Sequence, residues 1–169
     1  GEVFFENARV PRANLLGQIG EGWRIAMTVL AYERGAMSLA ASARYGRDLA
    51  QLAVTCREIG RTDAATRDKL ARLLVDNEVL RANGLRSLAN MADHRAPGPE
   101  SSLEKLYWSE LDKRFRETAI ELLGPGGLLL RSSSYARADV DWPREFLWSR
   151  AGTIYSGSSE VQRNIIAKR

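Results

Sequence analysis

The sequence is poor in histidine, cysteine and lysine, and each shortage removes a class of function. His94 is its one histidine and Cys56 its one cysteine. A lone cysteine rules out an internal disulfide framework and fits a reducing compartment, so a cytoplasmic location is expected. No Cys/His spacing suits zinc, and no Glu-x-x-His pair suits a di-iron bundle, so no metal site is expected. A Ser-His-Asp triad would have to use His94, just before Pro97-Gly98-Pro99. A solvated cation at a helix end, which suits the helix dipole, is the simpler reading. Lysine occurs only at positions 69, 105, 113 and 168, so arginine supplies most of the +4 net charge. The cations are scattered among 21 acids with no basic block, which argues against nucleic-acid binding. Apolar runs fall far short of a membrane span. Gly1-Glu2-Val3-Phe4-Phe5 has no basic region ahead of an apolar stretch, so no signal peptide is expected.

What is present is the balance of a globular chain: 169 residues, 44% hydrophobic and 27% charged, enough for one domain with a real core. Residues 1–19 read differently from the rest. Val3-Phe4-Phe5 looks like a short strand, and Val10-Pro11 with Leu15-Leu16-Gly17 looks like an extended arm and turn. This is the expected tail of a β domain and its linker.

Residues 20–169 read as helical. From about 22 to 58, Trp23, Met27, Leu30, Met37, Leu49 and Leu52 recur mostly at spacings of three and four. Gly35 and Gly46 argue against one unbroken helix. Thr62 or Asp63 can cap a second helix, with Leu70, Leu73, Leu74, Val79, Leu80, Leu85, Leu88 and Met91 as its apolar positions, ending before Pro97. Ser101 and Glu104 have capping-box spacing for a third. It carries Leu103, Tyr107, Leu111 and Phe115 and stops at Gly124-Pro125-Gly126-Gly127. Trp142-Pro143 opens a fourth helix, closed by Gly152. Ser159-Glu160-Val161-Gln162 reads as a second capping box opening a last helix. The predicted fold is all-α, an antiparallel four-helix bundle with a short N-terminal extended arm. Both ends look cut, so an excised domain is expected.

Three stretches could carry chemistry. Glu33 is flanked on its helix by Val29, Leu30, Ala36 and Met37. A carboxylate in an apolar stripe is costly unless paired, and burial would raise its pKa toward the range of a general base; a structural ion pair with an arginine of another helix is the simpler reading of the residues alone. Tyr155-Ser156-Gly157-Ser158-Ser159-Glu160 puts small residues and hydroxyls at a helix N-terminus, suited to an anion or polar ligand, or to an ordinary cap. Gly124-Pro125-Gly126-Gly127 would let a backbone approach a ligand, or simply stop a helix. Tyr107, Trp108, Trp142 and Trp148 suit core packing more than a stacking platform.

Together these residues resemble a known family. The ending from Arg150 to Arg169, Arg-Ala-Gly-Thr-Ile-Tyr-Ser-Gly-Ser-Ser-Glu-Val-Gln-Arg-Asn-Ile-Ile-Ala-Lys-Arg, resembles the C-terminal signature of acyl-CoA dehydrogenases. The opening from Val3 to Gly17, with Gly20-Glu21-Gly22-Trp23, is similar to the join between that family's β domain and its C-terminal helices. The resemblance spans the chain but less than half of a family member. It implies FAD as cofactor and an acyl-CoA thioester as substrate. A base takes the α proton while the β hydrogen leaves as hydride, giving a 2-enoyl-CoA, a step of fatty-acid β-oxidation. It also implies self-association as dimer or tetramer and an electron-transfer flavoprotein as acceptor. The isolated piece, without the domains that cover flavin and acyl chain, is expected to be inactive.

The pattern departs from the family in places. Most relatives carry the catalytic glutamate directly after the terminal tyrosine, where this chain has Ser156. A minority, including isovaleryl-CoA dehydrogenase-like members, place it on the first helix before an arginine, as in Glu33-Arg34. Glu33 is then the expected base, with Arg34, Tyr155 and Ser156 lining the substrate. Ser158 and Glu160 match positions that approach the flavin. Glu121 and Gly124 match a glutamine and glycine region that meets FAD from a neighbouring subunit, but a carboxylate at 121 would repel a pyrophosphate. The Arg-x-x-Phe-Gly flavin motif reads Cys56-Arg57-Glu58-Ile59-Gly60-Arg61, leaving Arg57 or Arg61 to compensate. A second reading follows from these losses: a non-catalytic chain in a mixed oligomer.

Overall fold

The computed structural model describes residues 2–95, 98–136 and 140–168, with side chains for all of these except 31–37. Five α-helices form: α1 (Gly22–Glu58), α2 (Ala64–Ala92), α3 (Glu100–Leu123), α4 (Trp142–Gly152) and α5 (Ser159–Ala167). Short 3-10 turns cover Arg12–Asn14 and Gly124–Leu128. No helix among the described residues is long and apolar enough to cross a membrane. No group of three or more His, Cys, Asp or Glu side chains among them could hold a metal.

The expected strand at Val3-Phe4-Phe5 does not form. No strand occurs among the described residues, and these three side chains are exposed. A strand needs a partner to satisfy its backbone, and none pairs with this segment among the described residues. The arm it belongs to carries no regular element apart from its one 3-10 turn, with bends at 6–7 and 17–18 and a turn at 19–20.

Local chemistry sets the helix ends. At the end of α1 the Arg61 N–H donates to the Cys56 carbonyl and the Gly60 N–H to that of Arg57. This paired closure needs a left-handed residue, supplied by Gly60 at φ +77. Asp63 caps α2, accepting from the Thr66 N–H at 2.9 Å and the Thr66 hydroxyl at 2.8 Å. Asp141 caps α4, and Pro143 occupies the first turn.

Two expected capping boxes do not form. α3 begins at Glu100, so Ser101 sits inside the first turn and donates to the Gly98 carbonyl. Glu104 turns inward instead, buried, and accepts from the hydroxyls of Ser38 at 2.8 Å and of Ser87. In α5 the cap is Ser158, one residue before the predicted one. Ser159 donates to Glu110 at 3.0 Å, and Gln162 serves the preceding turn. Both patterns are local; the inward pull of polar partners on neighbouring helices overrides them.

The helices run up, down, up and down. Leu39 meets Gly84, and Gly46 lies beside Asn77, so α1 and α2 are antiparallel. Tyr107 donates to Asp76 and Lys69 pairs with Glu121, so α2 and α3 are too. Phe115 packs on Trp142 and Trp108 on Gly152, which reverses α4 against α3. α3 touches all four other helices. Despite its glycines α1 is unbroken. Leu52, Leu80 and Ala119 are fully buried, and Tyr45 meets Phe115 edge-on at 5.7 Å.

The core differs from the predicted one in detail. Leu74, Val79, Leu85, Leu88 and Met91 of α2, Leu103 of α3 and Trp148 of α4 are exposed. Polar side chains take part of the interior instead. Arg116 is wholly buried among the rings of Tyr45, Phe115 and Trp142, with Asp48 and Asp112 as its ion partners.

Candidate functional site

The residues singled out from the sequence fall into two groups at opposite ends of the bundle. One end holds the first part of α1, the start of α3, the end of α4 and the α4–α5 turn. The other holds the end of α1, the start of α2 and the end of α3 with its glycine turn. Glu33 and Arg57 both lie on α1, which at roughly 1.5 Å per residue separates them by about 36 Å.

At the first end, Glu33 and Arg34 lie on α1, and their side chains fall outside the described residues. Tyr155 is exposed over 40% of its surface, its ring edge-on to Trp108 at 6.0 Å. Burial pushes the phenol pKa up, Asp112 adds to this, and Arg44 opposes both. Ser156 is exposed with φ +53, followed by Gly157 at φ +89. Ser158 caps α5 by accepting from the Val161 N–H. Hydrogen bonds from its own backbone N–H and from the Ser158 hydroxyl hold the Glu160 carboxyl below its ordinary range, as expected for an anion at a helix start. Lys105, buried in α3, donates to the Gly152 carbonyl at 2.9 Å and ties the end of α4 to the bundle.

At the second end the structure brings together Arg57, Arg61, Glu121 and Gly124. Gly124 is left-handed at φ +59, and a Cβ there would lie 3.5 Å from the Arg61 guanidinium, which crosses above it. Arg57, Arg61 and Arg67 help line a cleft of about 390 Å³ floored by Ala53, Cys56 and Leu70. Burial raises the Cys56 thiol pKa, and Arg61 opposes the rise. Glu121, expected to repel an anion, is paired with Lys69. The pair, partly exposed and outside the cleft lining, offsets part of that charge, and three guanidinium groups remain around the cleft, a donor set suited to a diphosphate. A second cleft of about 730 Å³ lies at this end, walled by Ile59, Leu123, Leu129, Val140 and Trp142, and takes in Gly126 of the glycine turn but none of Arg57, Arg61, Glu121 and Gly124.

Sequence reasoning missed Arg67, Lys69, Glu104 and Gln162. Arg67 and Lys69 had a usable signal, since both lie in the first turns of the helix that Asp63 caps. Glu104 and Gln162 were hidden because each looked like a capping partner.

Residues 20–169 match the family model described as acyl-CoA dehydrogenase, C-terminal domain. The chain belongs to the acyl-CoA dehydrogenase family. It is 36% identical over 169 residues to the acyl-CoA dehydrogenase IpdE1 of Mycolicibacterium smegmatis, covering 99% of this chain and 41% of that protein. It is 35% identical over 175 residues to IpdE1 of Mycobacterium tuberculosis, covering 99% and 42%. Among solved structures, a variant of the Tcur3481-Tcur3483 steroid ACAD superposes with a TM-score of 0.84 at 25% identity, over 98% of this chain and 43% of that one. The chain thus spans about two fifths of the length of the acyl-CoA dehydrogenases it resembles.

Proposed function

We propose that these residues form the C-terminal bundle of an FAD-dependent acyl-CoA dehydrogenase that introduces an α,β double bond into an acyl-CoA thioester. The observation that carries the reading is the placement of two chemically distinct groups at the two ends of α1. At about 36 Å apart along one helix, they are too distant to serve one part of one flavin. They suit a site completed between subunits, in which the arginine cleft of one copy meets the flavin of another. The exposed apolar side chains of α2, among them Leu74, Val75, Leu85 and Leu88, suit such self-association.

In this reading bound FAD supplies the acceptor for the β hydrogen. Glu33 takes the α proton, and Arg34, Tyr155 and Ser156 line the thioester. Arg57, Arg61 and Gly124 hold the flavin's diphosphate end, while Ser158 and Glu160 lie toward the flavin from the α5 turn. A base typically contributes about 10²–10⁴-fold. The similarity to a protein named a steroid ACAD favours a bulky acyl group. An electron-transfer flavoprotein is the proposed acceptor, and the isolated domain is proposed to be inactive.

The test is anaerobic flavin bleaching of the full-length protein by a panel of acyl-CoA esters. Wild type should bleach, and Glu33→Gln should keep its flavin but bleach at least about 100-fold more slowly. A wild type that holds flavin and never bleaches would overturn the reading. A second reading rests on Ser156 and on Cys56-Arg57-Glu58-Ile59-Gly60: a non-catalytic chain in a mixed oligomer. A flavin-free chain that co-purifies with a related flavoprotein would favour it.

A further inference from the structure

Gln162 is fully buried, yet half of its amide is unused. Its Nε2 donates to the carbonyls of Ser156 at 3.1 Å and of Gly157 at 3.2 Å. Its Oε1 is enclosed and has no partner among the described residues. An enclosed acceptor without a partner costs stability, so an amide chosen only to pack α5 would be a poor choice. What the amide does accomplish is specific. Both carbonyls belong to consecutive left-handed residues, Ser156 at φ +53 and Gly157 at φ +89. That conformation is unfavourable for Ser156, which carries a Cβ. At Gly157 a Cβ would run into the Gln162 amide itself. Glycine makes room for the amide, the amide holds the two carbonyls, and the Ser159 N–H closes the turn on the Thr153 carbonyl at 3.0 Å.

We propose that Gln162 is a positioning residue for the acyl-CoA site: by locking Ser156-Gly157 left-handed, it fixes the Ser156 hydroxyl and the Tyr155 ring against the substrate. This rests on the dehydrogenase reading above. Gln162 itself touches neither substrate nor flavin in this role; it acts through the turn. Misplacing a positioned group by about 1 Å is enough to cost on the order of 100-fold in rate.

The experiment uses the full-length, flavin-loaded protein with Gln162→Met, which keeps length and loses both donors, and Gly157→Ala, which forces the amide aside from the other direction. Hydrogen exchange over residues 153–161 is read alongside kcat and KM. In each variant, exchange of this segment should quicken about tenfold while α1, α2 and α3 keep their protection. The value of kcat/KM should fall at least about tenfold with the flavin spectrum unchanged. The double variant should cost less than the two single losses added, because both break one device. Unchanged exchange, additive losses, or wild-type kcat/KM in Gln162→Met would each overturn the proposal. A wild type that reduces no flavin overturns the dehydrogenase reading instead. Exchange then still decides whether Gln162 locks the turn.

Discussion

Arg116 on α3 donates from Nη1 to Asp48 on α1 at 2.6 Å, through a position with no solvent exposure on the arginine. Its Nε donates to Asp112 one turn back on α3 at 3.1 Å, and Glu145 of α4 stands 3.7 Å from Nη2. One guanidinium therefore joins three helices midway between the two candidate ends. Arg44 adds a second cation beside Asp112 and Glu145, at 3.8 and 3.9 Å. The aromatic rings of Tyr45, Phe115 and Trp142 exclude water and strengthen the attraction. The middle of the bundle is thus held by a charge cluster as well as by apolar packing.

Removing Arg116 should be costly for that reason. Arg116→Ala leaves the part-buried Asp48 without this ion partner, leaves the buried Asp112 with only the more distant Arg44, and opens a cavity. A loss of about 3–5 kcal/mol is expected, the range for breaking a buried pair from one side. Urea denaturation of the domain measures it. A loss under about 1 kcal/mol would mean that water already screens the cluster.

Two glycines on facing helices should respond with opposite signs. At Gly84 a Cβ would sit 2.9 Å from the Leu39 Cγ and 3.1 Å from the Leu39 backbone nitrogen. Gly84→Ala therefore forces α1 and α2 apart, and overpacking of this kind costs about 1–3 kcal/mol. At Gly46 a Cβ meets only the Asn77 amide, at an ordinary 3.6 Å. Gly46→Ala should stabilise by about 0.5–1 kcal/mol through helix propensity. Thermal midpoints of the two variants, compared with wild type, give the answer directly.

The helix layout was legible because apolar residues at spacings of three and four recur along α1, α2 and α3, and because Thr62-Asp63 and Gly124-Pro125-Gly126-Gly127 punctuate them, whereas Gly35 and Gly46 point to a break in α1 that does not occur. Which polar residues turn inward was not legible. Ser101 with Glu104 and Ser159 with Gln162 have capping spacing, but spacing does not say which face of a helix meets a neighbour. Nothing local marks Arg116 for burial, because Asp48 and Trp142 lie 68 and 26 positions away in the chain. Trp148 reads as core until α4 turns it outward. The basic end was half legible: Arg57 and Arg61 stand out in a damaged motif, whereas the pairing of Glu121 with Lys69 needs two helices to meet.

His94 and Gly60 close two helices in the same way, and only one of them is a glycine. The His94 N–H donates to the Met91 carbonyl and the Arg95 N–H to that of Asn90, both at 3.0 Å, with His94 left-handed at φ +54. A residue with a Cβ is strained by about 1 kcal/mol or more in that conformation. His94→Gly should therefore stabilise by about 0.5–1 kcal/mol, and Gly60→Ala should destabilise by a similar amount. Chemical denaturation of both variants tests the pair. Equal and negligible effects would show that both closures loosen in solution.

Asp63 makes the start of α2 sensitive to acid. Hydrogen bonds from the Thr66 backbone N–H, then from its hydroxyl, hold the Asp63 carboxyl below its ordinary 3.8. A depressed pKa means that the ionised form favours the folded state. Its contribution is in place above the unfolded value and is lost as pH falls through the folded one. Asp63→Asn keeps an acceptor for the cap and removes the titration. The stability difference between wild type and Asp63→Asn should therefore shrink below pH 4, in wild type's disfavour. A pH series of thermal midpoints from 3 to 7 checks the sign.

Lys69 should control whether the arginine cleft tolerates an anion. Paired, Glu121 presents little net charge to the cleft; unpaired, it would oppose the attraction of Arg57, Arg61 and Arg67. Both partners are partly exposed, so the effect is modest: Lys69→Met in the full-length protein should weaken FAD binding by about threefold to tenfold. Adding Glu121→Gln should restore it, since the repelling carboxylate is then gone. The loss in Lys69→Met should shrink at high salt, because charges this exposed are screened. Equilibrium titration of apoprotein with FAD at low and high ionic strength reads all three effects. If Lys69→Met binds FAD as wild type does at low salt, the flavin diphosphate does not approach Glu121, and the cleft beside Arg61 serves some other anion or none.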